Sequence, residues 1–214
     1  MREDLPIDVR PEREQRGFPA RTGQLTPALI LHAYRRGIFP MAINRQGDIG
    51  WFSPDPRAII PLDERFHIPH GLKRAARKNV FEMTTDQAFE DVIRGCATAH
   101  GDTWISEEIL INYCELHRLG CAHSVEVWQD GELVGGLYGV AIGGAFFGES
   151  MFHYVTDASK VALVALVERL RNRRFVLLDT QWTTGHLEQF GTFQIRKSEY
   201  LKLLKSALAL ERTF

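Results

Sequence analysis

The chain has 214 residues, of which 44% are hydrophobic and 25% charged, and its formal net charge is −1. This is enough apolar material for a sizeable core, so we expect one large domain, or a main domain with a small appendage. The near-neutral charge excludes binding of nucleic acid through a global basic field, and no apolar run is long enough to cross a bilayer.

The three cysteines, Cys96, Cys114 and Cys121, are odd in number and form no CxxC pair. Reduced thiols in a cytoplasmic protein fit this pattern best, and the polar N-terminus lacks the apolar segment of a secretory signal. Cys114 and Cys121 with His117 suggest a metal site. However, Gly120 is expected to end the helix before Cys121 and no fourth ligand is evident, so we expect no metal.

The first predicted helix follows a polar arm over residues 1–24. Thr26 suits its N-cap, Pro27 its first turn and Gly37 its exit. The loop that follows contains "SPDPR", in which two prolines fix the backbone angles. Rigid, irregular loops of this kind often carry function. We expect a small N-terminal domain over residues 1–57, arm included.

The second predicted domain, residues 58–214, begins with a short strand over 58–62. We expect this strand at a sheet edge, because Pro61 cannot donate a hydrogen bond to a neighbour. A predicted helix follows, with four basic residues spaced to share one face. This basic cluster, which is either a solvated face or a phosphate-contacting patch, consists of Lys73, Arg74, Arg77 and Lys78.

Helices and then strands make up the rest of the chain. Thr85 and Ser106 suit the N-caps of two amphipathic helices. The runs "AHSVEVW", "LVGGLYGVAIG" and "AFFGESMF", with an Asp-Gly turn in "QDGE", predict an antiparallel meander. A helix over "DASKVALVALVERLRN", a strand over "RRFVLLDTQW" and a last helix follow. The order predicts an α+β fold with a mixed sheet covered by helices.

Three polar side chains lie in otherwise apolar predicted strands. Glu149 is isolated in "AFFGESMF", where a carboxylate must face water, pair with a cation or take up a proton. Asp179 and Gln181 are two residues apart on one strand, so their side chains share a face. This pair either braces the end of the strand or takes part in chemistry.

Seven stretches, in this order, resemble the leucyl/phenylalanyl-tRNA–protein transferases: "AYRRGIFPM", "WFSPDPR", "DTWI", "HSVEVW", "ELVGGLYGVAIGGAFFGESMF", "DASKVAL" and "LLDTQ". The resemblance runs from about Leu25 to Tyr200. It implies a small N-terminal domain followed by a GCN5-related acetyltransferase-like catalytic domain with a largely antiparallel sheet. The implied activity, without a cofactor, is transfer of Leu or Phe, possibly Met, from aminoacyl-tRNA to proteins with N-terminal Arg or Lys. The products would enter the N-degron pathway of protein degradation.

The resemblance also implies roles for individual residues. Gln181, polarised by Asp179, would orient the acceptor amine, since a neutral amide is too weak a base to do more. Glu149, charged and in a cleft, would bind a substrate ammonium or the acceptor's basic side chain. Trp104 would lie near the terminal adenosine of the tRNA. Six apolar residues would line the pocket for the Leu or Phe side chain, although each also suits an ordinary core: Leu137, Phe146, Met151, Leu163, Leu166 and Leu178.

The basic cluster corresponds to one that the resemblance assigns to tRNA binding. Two different tRNAs serve this family, so the contacts are expected to be independent of sequence. The chain departs from the family pattern at Met41, where tryptophan is common, and at Leu166, where a pocket phenylalanine is common. These changes put stacking by residue 41 in doubt and reshape the side-chain pocket.

Two other classes of function compete with this interpretation. An acetyl-CoA-dependent acyltransferase would need a glycine-rich loop before a helix, whereas "HYVTDASK" has no glycine and Asp157 would repel a pyrophosphate. A non-catalytic RNA-binding module would explain the basic cluster. It would not explain Glu149, Asp179 and Gln181 within an apolar cleft.

Overall fold

The computed structural model describes Gly23 and residues 25–72, 80–99 and 103–214. The predicted arm, apart from Gly23, lies outside these ranges. So do the four residues of the basic cluster, Lys73, Arg74, Arg77 and Lys78. Among the described residues, no helix is long and apolar enough to cross a membrane.

The described residues form nine strands and six helices, numbered here in chain order. The strands are β1 (Phe39–Ala42), β2 (Ile49–Phe52), β3 (Arg57–Ile60), β4 (Glu82–Thr85), β5 (Ala122–Gln129), β6 (Glu132–Ile142), β7 (Ala145–His153), β8 (Leu177–Gln181) and β9 (Phe193–Ile195). The helices are α1 (Pro27–Tyr34), α2 (Phe89–Ala99), α3 (Glu107–Arg118), α4 (Ala158–Asn172), α5 (Gly185–Glu188) and α6 (Lys197–Leu208).

Seven of the strands form one sheet in the order β4-β5-β6-β7-β8-β3-β9, and β1 pairs with β2 separately. Neighbouring strands of the large sheet are antiparallel except for β7 and β8, which are parallel. Helix α4 connects these two strands, as a crossover between parallel strands requires. The predicted α+β class, with a mixed and largely antiparallel sheet covered by helices, is confirmed.

The caps predicted at Thr26 and Ser106 and the predicted Asp-Gly turn are present, whereas the cap predicted at Thr85 is wrong, since Thr85 ends β4 and α2 begins at Phe89. At the start of α1, the Leu29 backbone N–H donates to the Thr26 hydroxyl at 3.2 Å. Between β5 and β6, Asp130 and Gly131 have φ angles of 51° and 81°. Positive φ at both central residues is what a two-residue type I′ hairpin turn needs, and Asp-Gly tolerates it well.

Two apolar clusters cover the two faces of the large sheet. The first cluster contains buried residues of α1, α2, α3 and α6, and the second contains those of α4 together with Phe66 and Phe190. Leu137 and Tyr138 are consecutive on β6 and belong to different clusters, and successive strand residues point to opposite faces. The two clusters are therefore separated by the sheet.

The pairing of β6 with β7 slips by one residue at Glu149. Tyr138 pairs with Ser150, whereas Gly139 pairs with Gly148, so Glu149 is the extra residue of a β-bulge. A bulge bends its strand and changes the direction of a side chain, and bulges are common beside active sites. The bulge brings the Glu149 carboxyl group to the face covered by the first cluster, where its hydrogen-bond partners lie.

Strands β7 and β8 part just before this bulge. Their parallel pairing begins at Ala145 and Leu177 and ends at Phe147 and Asp179, although β7 continues to His153 and β8 to Gln181. A gap therefore opens in the sheet, with Glu149 on one side and Gln181 on the other.

The expectation for residues 58–62 is wrong in one respect. Strand β3 does not lie at an edge of the sheet but between β8 and β9. Pro61 falls just after the strand ends at Ile60, so its missing N–H does not interrupt the pairing. The division into domains at residue 57 stays a prediction.

Candidate active site

The carboxyl group of Glu149 lies at the centre of a hydrogen-bonded group. Its Oε1 accepts hydrogen bonds from the Tyr34 hydroxyl at 2.6 Å and from Gln181 Nε2 at 3.3 Å. Its Oε2 accepts from the Tyr113 hydroxyl at 3.3 Å, and the two tyrosine oxygens are themselves 2.6 Å apart. Helices α1 and α3 each bring one tyrosine to the carboxyl group in the bulge of β7.

Asp179 lies in a second, more deeply buried group. Its carboxylate is fully buried and forms a bidentate ion pair with Arg57. Arg57 Nε lies 2.9 Å from Oδ1, and Arg57 Nη2 lies 2.7 Å from Oδ2. The Tyr200 hydroxyl also donates to Oδ2 at 2.7 Å. Arg57 is itself fully buried, and its guanidinium lies 4.9 and 4.6 Å from the ring centres of Phe39 and Tyr200.

Gln181 connects the two carboxyl groups. Its backbone N–H donates to Asp179 Oδ1 at 2.9 Å, and its side-chain Nε2 donates to Glu149 Oε1. Asp179 therefore fixes the backbone of Gln181, whereas the amide side chain of Gln181 contacts Glu149. Gln181 has a φ of 59°, so it leaves the extended conformation of β8 and the strand alternation used to predict its direction ends there.

The orientation of the Gln181 amide follows from its partner. Glu149 Oε1 accepts the hydrogen bond from Tyr34 and acts as an acceptor toward the amide as well, so it faces the Nε2 end of Gln181. The carbonyl oxygen Oε1 is then left to accept a hydrogen bond from another donor. The arrangement suits a group that orients an amine.

Burial raises the pKa of Glu149 to about 8, although the hydrogen bond from Tyr34 acts in the opposite direction. The charge of Asp179 raises it further. In the substrate-free protein the carboxyl group is therefore largely protonated at neutral pH, whereas the sequence predicted a charged group. A cation bound beside it would favour the ionised form and release the proton.

The pKa values of Tyr34 and Tyr113 lie well above the ordinary value, because both hydroxyls are buried and the charge of Glu149 opposes a second anion. Burial alone would lower the pKa of Arg57, but the charge of Asp179 raises it. The tyrosines thus remain hydrogen-bond donors and Arg57 remains a cation.

The six residues predicted to line a side-chain pocket lie together on the other face of the sheet. Met151 packs against the second cluster. The other five belong to the cluster and are at most 3% exposed: Leu137, Phe146, Leu163, Leu166 and Leu178. Glu149 is hydrogen-bonded on the face of the first cluster. The gap between β7 and β8 lies between Glu149 on one face and these six residues on the other.

Trp104 and Met41 lie close to each other. The backbone N–H of Ala42 donates to the Trp104 carbonyl oxygen at 3.1 Å, and both Trp104 and Met41 pack partly buried against the first cluster. The structure therefore brings the residue predicted to lie near the terminal adenosine beside Met41, where the resemblance leads one to expect tryptophan.

Sequence reasoning missed four members of this site: Tyr34, Tyr113, Arg57 and Tyr200. Tyr34 and Tyr113 are 115 and 36 residues from Glu149 in the chain, and a helical pattern assigns each simply to an apolar face. Arg57 is the last residue of the quoted "SPDPR" run, which the sequence marked only as a rigid loop. A buried arginine signals a carboxylate partner, but burial is not visible in the sequence.

The predicted absence of a metal concerns Cys114, His117 and Cys121. Among the described residues, no group of three or more His, Cys, Asp or Glu side chains is arranged to hold a metal ion. His117 Nδ1 lies 2.8 Å from the Ala122 carbonyl oxygen, and its ring stacks on Phe89.

Comparison with solved structures gives partial likenesses to acetyltransferases. A ribosomal-protein-alanine N-acetyltransferase from Brucella melitensis is similar over 52% of this chain and 86% of its own, with 13% identity and a TM-score of 0.37. A likeness at this level carries no inference about substrate or mechanism.

Two family models and many relatives match the chain at the level of sequence. The model described as "Leucyl/phenylalanyl-tRNA protein transferase" matches residues 59–205, and that of the family's N-terminal domain matches residues 23–55. A leucyl/phenylalanyl-tRNA–protein transferase from Akkermansia muciniphila is 58% identical over 86% of this chain and 97% of its own. One from Herpetosiphon aurantiacus is 53% identical over 90% of this chain and 100% of its own. The chain belongs to the leucyl/phenylalanyl-tRNA–protein transferase family.

Proposed function

We propose that the chain joins leucine or phenylalanine, delivered on tRNA, to the α-amino group of proteins that begin with Arg or Lys. Aminoacyl transfer follows from membership of the family; the acceptor class, the site and the roles of its residues are the proposal. The observation that carries the site is the contact of Gln181 with Glu149 across the gap between β7 and β8. At this gap the Glu149 carboxyl group, held by tyrosine hydroxyls, faces the Gln181 amide, whose backbone is held by Asp179. The apolar second cluster lies beside them.

Glu149 is proposed to bind the ammonium group of the transferred amino acid or the basic side chain of the acceptor. Its hydrogen bonds from Tyr34 and Tyr113 hold the carboxyl group in one orientation. A hydrogen bond between ionised partners in such a partly buried place typically contributes ~1.5–3 kcal/mol. The bound cation lowers the pKa of Glu149 from its raised value, so binding and ionisation support each other.

The side chain of the transferred residue is proposed to pass through the gap into the second cluster. The parting of β7 and β8 gives a route from Glu149 to the opposite face of the sheet. Phe146 and Met151 flank the bulge on β7, and Leu178 lies in the paired part of β8, opposite Phe146. Met151 is unbranched, which suits a pocket that accepts both a branched and an aromatic guest.

Gln181 is proposed to orient the acceptor amine. The neutral amine attacks the ester carbonyl, the ester C–O bond breaks and an amide bond forms. Gln181 Oε1 would accept a hydrogen bond from the amine N–H, while the departing ribose oxygen takes up the proton that the amine loses. The amide is not itself the base. Asp179, neutralised by Arg57, holds the Gln181 backbone in place through this step.

The basic cluster is proposed to contact tRNA phosphates, and Trp104 the terminal adenosine. Contacts of this kind are independent of base sequence, which suits an enzyme that uses more than one tRNA. We further propose that the enzyme acts in the cytoplasm and that its products are signals for the N-degron pathway. The N-terminus of α4 argues against acetyl-CoA as the donor, since the Asp157 carboxylate at its N-cap position would repel a pyrophosphate.

The test is transfer of labelled Leu, Phe and Met from charged tRNA to peptides that begin with Arg, Lys or Ala. We expect product with Arg and Lys peptides from leucyl- or phenylalanyl-tRNA, and none with the Ala peptide. Product with all three peptides would refute the acceptor class. Binding of coenzyme A in a calorimetric titration, without transfer from tRNA, would refute the reaction.

A further inference from the structure

The C-terminal residue Phe214 is packed into the second cluster. It is only 6% exposed. Its ring stacks on Phe146 with centroids 5.2 Å apart, and on the His123 ring at 4.4 Å. The Arg169 guanidinium lies 4.6 Å from its centroid. These contacts give Phe214 a defined place behind Phe146.

The segment that leads to Phe214 is held against the turn between β6 and β7. The Gly144 N–H donates to the Ala207 carbonyl oxygen at 2.8 Å. A Cβ atom added at Gly143 would lie 2.8 Å from the same oxygen, so only glycine permits this approach. Arg212 Nε donates to the Arg174 carbonyl oxygen at 3.1 Å. These contacts attach the segment at Gly144, which is two residues before Phe146 on the chain. Residues 206–214 lie beyond the part of the chain that the family model matches.

We propose that Phe214 closes the base of the pocket for the transferred side chain and thereby limits its depth. It would act through Phe146, as a positioning residue, and would favour leucine over the longer phenylalanine. The inference rests on the proposed function, in which Phe146 lines that pocket. Protein interiors are close-packed, so Phe146 cannot retreat from a guest while the Phe214 ring lies behind it. Removing the ring leaves space into which Phe146 can move.

The experiment compares kcat/KM for leucyl-tRNA and phenylalanyl-tRNA, with one Arg peptide, in the wild type, Phe214→Ala and Phe214→Leu. A difference of one methylene in an apolar pocket changes selectivity by roughly 10–200-fold. We expect the phenylalanine-to-leucine ratio to rise about tenfold in Phe214→Ala, and by less in Phe214→Leu. If Phe214→Ala does not fold, a raised ratio in Phe214→Leu supports the proposal and an unchanged one refutes it.

Phe66 provides a matched control in the same cluster. It is buried, stacks on Phe190 at 5.8 Å and lies 5.4 Å from the Arg171 guanidinium. Phe66→Ala should lower the melting temperature, as Phe214→Ala does, and leave the ratio unchanged. An unchanged ratio in Phe214→Ala, or an equal change in Phe66→Ala, overturns the proposal. A wild type that transfers neither residue instead refutes the proposed function.

Discussion

Replacing Glu149 by glutamine tests the centre of the proposed site. The change keeps the size of the side chain and one oxygen that can accept from Tyr34, but it replaces the oxygen that accepts from Tyr113 with an amide NH2 and removes the charge. A charge-assisted hydrogen bond typically contributes ~1.5–3 kcal/mol, and each ~1.4 kcal/mol corresponds to a tenfold change. We therefore expect kcat/KM for transfer to fall about 10- to 150-fold at pH 8.5.

The pH dependence of stability gives the same substitution a second readout. The raised pKa of about 8 means that folded Glu149 keeps a proton which the unfolded chain releases from about pH 4.5 upward. The unfolded state then binds fewer protons, so this group's contribution to stability falls as pH rises from about 4.5 to 8 and is constant above. Glu149→Gln has no proton to lose. It should unfold with less dependence on pH in that window and should be at least as stable as the wild type at pH 8.5.

The assay measures kcat/KM and urea unfolding on the same preparations between pH 5 and 9. The acceptor amine also titrates near neutral pH, so the comparison is between wild type and variant at each pH. Glu126→Gln is the control, since Glu126 is a fully buried carboxyl group on β5 with hydroxyl partners in Thr84 and Ser124. Lost stability with normal kcat/KM in Glu149→Gln would show that Glu149 only braces the fold.

Three further predictions concern the surrounding groups. Arg57→Met should lower the unfolding free energy by ~3–5 kcal/mol, because Asp179 stays buried without its partner. The double variant Arg57→Met with Asp179→Leu should recover much of this loss. Equal stability of the single and double variants in urea would contradict the prediction. Gln181→Ala should lower kcat about 10²-fold with little effect on the Kd for charged tRNA, and near-normal single-turnover rates would rule out its role. Neutralising the basic cluster should reduce the slope of log Kd for tRNA against log salt by roughly 0.7–0.9 per lost phosphate contact, whereas an unchanged slope would indicate a solvated face.

The large elements could be predicted because their signals are local. The Asp-Gly turn and the cap at Thr26 depend only on neighbouring residues, and the structure has both where the sequence predicts them. The meander of β5, β6 and β7 follows from alternation and short turns. These signals also place Glu149, Asp179 and Gln181 on the correct strands.

The contacts within the site could not be predicted because they depend on register. One extra residue in β7 decides where Glu149 points, and no local pattern distinguishes a bulge from regular pairing. Likewise, two-residue spacing placed the Asp179 and Gln181 side chains together, whereas the positive φ of Gln181 leaves only its backbone N–H on Asp179. Strand β3 shows the same limit: Pro61 indicated an edge, but β9 pairs beyond it.

Arg57 has a further consequence for how the site is assembled. Besides Asp179, its Nη1 donates to the Gly37 carbonyl oxygen at 3.2 Å, just after α1, which carries Tyr34. One side chain thus couples the exit of the first helix to the strand that ends at Gln181. Formation of the site is therefore tied to closure of the chain between its early and late segments. A fragment that starts after residue 57 would keep Glu149 and Asp179. It would leave Glu149 without one of its two tyrosine donors, Tyr34, and Asp179 without its counter-ion, Arg57. Catalytic competence should consequently report on long-range folding of the whole chain, and complementation by a separate peptide containing residues 23–57 would measure the strength of that coupling.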